Sequence, residues 1–180
     1  MRSRPVPRRV ALALGGLSGL ALLGACSQPT GSDSTDSPSE GQTMPTTPAA
    51  PDGIETIDLN QPVADAVAAF EQAAKDQDLN VFATIDHAAG AKDAGMELRP
   101  TTLVLIGNAK GGTPLMVDNQ LMGLMLPLRV LFWEDEEGAS HASYESMDSF
   151  AERFGLGEDS AKPRENISGM LPKLIDAAKG

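Results

Sequence analysis

Asp86 and His87 stand together in the stretch TIDHAAGAKDAG, and Lys92 follows five residues later. Histidine changes charge near neutral pH, so beside a carboxylate it can serve as general acid, general base or metal ligand. The same pair also suits a plainer role, with the aspartate capping the first turn of a helix. A second acidic cluster runs from Glu134 through Asp135 and Glu136 to Glu137, four residues before His141. Strand alternation sends Glu134 and Asp135 to opposite faces, so only one of them can join a site.

Asn108 and Thr113 lie in GNAKGGT, with Pro114 next in the chain. No lysine stands directly before the threonine, so this is no nucleotide phosphate loop. Its glycines permit a tight turn or a close backbone approach to another group. Met116, Met122 and Met125 cluster just beyond it. Thioethers are soft ligands suited to Cu(I), and they are also adaptable apolar filler. Met122, Met125, His87 and His141 therefore form a candidate copper or zinc set. Neither histidine belongs to a recognisable metal motif, and no nucleophile-elbow or calcium-loop spacing is present.

The N-terminal residues read as an export signal. Arg2, Arg4, Arg8 and Arg9 precede an apolar run from Val10 to Leu23 that is shorter than the roughly 20 residues of a membrane span. LGAC, ending at Cys26, resembles a bacterial lipobox, in which that cysteine is acylated and becomes the new N-terminus. Residues 1–25 are thus expected to be removed. Residues 26–53, rich in Ser, Thr, Pro, Gly and Asp, cannot bury enough apolar surface to fold and are expected to form a flexible tether. Cys26 is the only cysteine, so the exported part has neither a disulfide nor a thiolate ligand. With four arginines and no acid lost, 10 basic and 25 acidic residues remain, a net charge of −15. That field excludes nucleic acid as a partner.

The elements that must position these residues lie in one domain, residues 54–180. IETIDL reads as a strand. NQPVADAVAAFEQAAKDQ reads as a helix, with Asn60 or Gln61 near its cap and Val63, Val67, Phe70 and Ala74 on one stripe. LNVFATID alternates as a strand with Leu79, Val81, Ala83 and Ile85 on one face. HAAGAKDAG forms a short helix ended by Gly95. TTLVLIGN is a strand, and AKGGTPLMVDNQLMGLMLP is an irregular connection with room for a short helix. LRVLFWED and ASHASYE form a hairpin. MDSFAERFG is a helix ending at Gly155, and a last helix lies in ENISGMLPKLIDAAKG with Pro172 in its first turn or kinking it. The order predicts an α+β fold with a mainly antiparallel sheet and helices on one face.

Three strings, ATIDHAAGAKDAGMELRPTTLVLIGNAKGGTPLM, GLMLPLRVLFWEDEEG and SYESMDSFAERFGL, resemble the family called domain of unknown function 302. The resemblance runs from about Phe82 to Leu156. It implies a β-α-β(4)-α core similar to the TATA-binding-protein-like fold, in small and often dimeric proteins. The family pattern falls on Asp86, His87, Lys92, Asn108, Thr113, Pro114 and Asp135, which marks them as candidate ligand-binding residues. No activity comes with it. Where the family usually carries an acid before Leu-Pro, this chain has Met125, which favours an apolar groove.

The expected function is that of a lipid-anchored accessory domain that binds a small ligand or a protein partner. A possible homodimer, an enzyme using His87 as acid or base, and copper or zinc binding are the alternatives. No cofactor is assigned.

Overall fold

In the computed structural model, residues 50–180 are described. The expected signal segment, Cys26 and nearly all of the tether lie outside the described residues.

Period-two patterning fixes which side of each strand is buried. In β4 (Leu128–Glu134) Leu128, Val130 and Phe132 turn inward, while Arg129, Leu131 and Trp133 face away. β5 (Ser140–Glu145) buries Ser140, Ala142 and Tyr144 and turns His141, Ser143 and Glu145 outward. With β1 (Ile54–Asp58), β2 (Asn80–Asp86) and β3 (Thr101–Gly107), they form one sheet in the order β1-β5-β4-β3-β2, every neighbour antiparallel. β1 and β2 occupy opposite edges, so α1 (Val63–Asp76) crosses the sheet between them.

The helices cover one face. α1 buries Val63, Ala66, Phe70 and Ala74, and α5 (Ala161–Ala177) buries Ile167, Leu171, Leu174 and Ile175. Phe70 meets Phe132 of β4 edge-on, with ring centroids 5.1 Å apart. Such a pair adds about 0.5–1.5 kcal/mol beyond the area it buries. Two shorter helices, α2 (His87–Asp93) and α4 (Met147–Phe154), follow β2 and β5. α4 ends at Gly155, whose φ of +59° is the left-handed cap that glycine adopts without strain. The architecture is α+β with a five-stranded antiparallel sheet, as the sequence pattern predicts.

Four local readings are corrected. A bulge at Phe82 interrupts the β2–β3 register between Val81 and Ala83. One extra residue flips the alternation, so Val81 stays on the helix face while Ala83 and Ile85 fall on the other. Thr84 accordingly reaches back and donates to Glu71 on α1. The irregular connection after β3 is mostly helical: α3 (Ala109–Asp118) leads into a 3-10 turn, Gln120–Leu124. Full burial of Leu115 and Met122 outweighs the poor helix propensity of two glycines and a proline. The last helix begins at Ala161, so Pro172 lies deep inside it, and Pro163 occupies the first turn. At the start of α1 the cap is Pro62, with no side-chain cap bond; Gln61 instead donates to the Ala178 carbonyl.

Candidate functional site

α3 is positioned by its own first residues. Asn108 takes extended backbone angles and its Oδ1 accepts the Gly111 amide at 2.8 Å, which caps the helix. Asn108 Nδ2 points back to the Asp78 carbonyl at 3.5 Å, tying the cap to the turn before β2. Pro114, inside α3, cannot donate to the carbonyl of Lys110 four residues earlier. At the far end, Asp118 Oδ2 accepts from the Gly157 amide at 2.7 Å and the Ser160 hydroxyl at 2.6 Å. The Ser160 bond holds the Asp118 carboxyl below its ordinary range. These bonds fix α3 against the start of α5.

Between α3 and α5, above the end of β3, lies a groove of about 520 Å3. Its apolar wall includes Phe82, Ile106, Met116, Leu126, Ile167 and Met170. Asn108, Lys110 and Thr113 supply polar groups from the first turns of α3, and Asn166 from α5. Gly111 and Gly112 bring the α3 backbone against the opening. A Cβ at Gly112 would come within 3.2 Å of Leu126 Cδ1, so the glycine permits a close approach between α3 and that wall.

The groove gathers Asn108 and Thr113 of the candidate residues, and excludes the others. Pro114 is half-buried in α3 and shapes the helix without lining the cavity. Asp86 Oδ1 accepts the Ala89 amide at 2.9 Å as the cap of α2. His87 is exposed, and among the described residues no hydrogen bond or ion pair joins it to Asp86, Lys92 or any other side chain. Asp86 and Lys92 border a wider, more open depression beside Met96 and Arg99.

Asp135 and His141 belong to a third place, on the sheet face away from the helices. His141 Nε2 lies 2.9 Å from Asp135 Oδ2, and its Nδ1 lies 2.9 Å from Asp58 Oδ1 on β1. Asp135 Oδ1 accepts the amides of Glu137 and Ala139, which closes the β4–β5 turn. The Trp133 ring packs on the imidazole with centroids 4.7 Å apart. Partial burial opposes the imidazolium, but the bonds to Asp135 and Asp58 outweigh it, and the His141 pKa is raised. The bond to His141 in turn holds the Asp135 carboxyl below its ordinary range against some desolvation.

Met122 is fully buried in the core, and Met125 meets Arg129 through its sulfur at 3.7 Å. Both nitrogens of His141 already face carboxylates. Among the described residues no group of three or more His, Cys, Asp or Glu is set to hold a metal ion. His87, His141, Met122 and Met125 thus occupy separate settings. Sequence reasoning missed the α5 side of the groove and the partner of His141 in Asp58. The glycine pair opening α3 was the one local sign of a close approach.

Over 105 residues the chain is 40% identical to the fluoride-specific ion channel FluC 1 of Brucella suis and to FluC 2 of Brucella melitensis. The match takes in 58% of this chain and 41% and 39% of those proteins, so the chain spans about two fifths of the curated relatives it matches. No helix among the described residues is long and apolar enough to cross a membrane. The crystal structure of an uncharacterized conserved protein from Bacillus stearothermophilus shares the fold, with a TM-score of 0.64 at 13% identity over 71% of this chain and 99% of that one. The profile of the domain of unknown function DUF302 matches residues 55–174, most of the folded domain, and the chain belongs to that family.

Proposed function

We propose that this protein is a ligand-binding accessory domain of the cell envelope, exported and held at the outer face of the membrane by lipid on Cys26. The α3–α5 groove is its binding site. The groove carries the reading: about 520 Å3, mostly apolar, with a few polar groups from the start of α3 and one from α5. That size and mix are typical of small-molecule sites. The anchor rests on the sequence LGAC behind a basic, then apolar, N-terminal run. Two acyl chains on one cysteine suffice for stable attachment, and a polar tether then leaves the domain free to sample its surroundings. Fluoride conduction is a property of the longer relatives and is not carried over.

The test is binding of a neutral apolar fluorophore, N-phenyl-1-naphthylamine, to the full chain. One saturable site is expected, and Asn166→Trp, which replaces an exposed lining residue with a bulky ring, should abolish it. Saturable binding that Asn166→Trp and Thr113→Trp both leave intact would place the site elsewhere. Labelled palmitate incorporated into the wild-type chain but not into Cys26→Ser checks the anchor.

A further inference from the structure

We infer that the groove takes a single-chain anionic amphiphile of the fatty-acid type, with its carboxylate at Lys110 and its chain along the apolar wall. This rests on the ligand-binding reading above and adds the charge of the head group and the form of the tail.

The charge argument begins with what lines the groove. The chain has 25 acidic and 14 basic residues, yet among the described residues bordering this cavity Lys110 alone is charged. Lys75, Lys162 and Lys179 each have a carboxylate partner, whereas Lys110, like Lys92 and Lys173, is in no ion pair among the described residues; of these three only Lys110 borders the groove. The acids nearest in sequence on the flanking elements are engaged elsewhere. Asp118 holds Gly157 and Ser160, and Glu165 is paired with Lys162 at 2.8 Å. An unpaired cation beside an apolar wall attracts a carboxylate more strongly than the same lysine in open water, because the wall lowers the local dielectric. A cationic head would gain nothing there, and a neutral head would leave the ammonium without a counter-charge.

The tail argument comes from the wall. Met116 and Met170 are flexible thioethers that fit an irregular chain, and Phe82, Leu126 and Ile167 complete an apolar lining. Gly107, Gly111, Gly112 and Gly123 border the same space without side chains of their own. A Cβ at Gly123 would lie 3.6 Å from Met116 Sδ and one at Gly107 would lie 3.9 Å from Phe82, narrowing the space from its edges. A slim, flexible chain fits such a lining better than a rigid ring.

Displacement of N-phenyl-1-naphthylamine from the full chain at pH 8 by three ten-carbon probes tests this: decanoate, decanol and decyltrimethylammonium. Decanoate should compete at about five-fold lower concentration than decanol, with the ammonium weakest. Lys110→Gln should bring decanoate to the level of decanol. Octanoate, decanoate and dodecanoate should tighten by about four-fold per added methylene. Equal competition by all three heads would overturn the anionic assignment and leave the groove reading standing. A decanoate preference that survives Lys110→Gln would overturn the role of Lys110. Failure of every probe, with Asn166→Trp indistinguishable from wild type, would overturn the groove reading itself.

Discussion

His141 Nε2 lies 2.9 Å from Asp135 Oδ2, while the other ring nitrogen faces Asp58 across the β5–β1 pairing. The ring thereby joins the β4–β5 turn to the edge strand β1. Its cation satisfies both carboxylates, and its neutral form can donate to only one.

Stability should therefore depend on pH in a defined way. The folded-state pKa of His141 is raised above 6.5, so its contribution is complete below about pH 6.5 and is lost as pH climbs through the raised value. Asp135 acts in the opposite sense. Its pKa is lowered from 3.8, so its contribution is present above that pH and fades as pH falls through the lowered value. Urea midpoints between pH 5 and 9 should fall on the alkaline side, and His141→Gln should flatten that limb. An unchanged slope in the variant would show that the decline has another source.

His87→Ala should leave stability within about 0.5 kcal/mol of wild type, since the side chain is exposed and holds no partner among the described residues. Fluorophore binding should also be unaffected, because His87 does not line the groove. A loss of binding in this variant would move the site to the end of β2.

Asn108→Ala should cost about 1 kcal/mol through loss of the α3 cap. Because the same residue anchors the groove wall to the turn before β2, the fluorophore should bind more weakly to the variant. Denaturant melts and titrations on one preparation separate the two effects.

Glycine substitutions should divide by backbone. Gly90 lies in α2 with nothing within 4 Å of an added Cβ, so Gly90→Ala should raise stability by about 0.5–1 kcal/mol. Gly155→Ala should lower it by about 1 kcal/mol, because the cap of α4 needs φ of +59°. Opposite shifts in urea midpoint check both.

Much of the domain was legible in the chain itself. Alternation in LRVLFWE and SHASYE puts Val130 with Phe132, and Ala142 with Tyr144, on one face, and the positive-φ glycines Gly95 and Gly155 mark helix ends that sequence alone places. These are local rules, set by side-chain periodicity and backbone sterics within a few residues. What the tertiary structure decided is long-range. Asp58 and His141 are 83 residues apart and meet only because β1 pairs with β5. The Phe82 bulge that flips β2 is defined against β3, and the helical state of α3 depends on burying Leu115 and Met122 under partners far along the chain. The groove exists only where α3 meets α5, so the lining that α5 supplies, Pro163, Asn166, Ile167 and Met170, had no local signature. Periodicity states which face of an element is buried; which other element covers it depends on the packing of the whole chain.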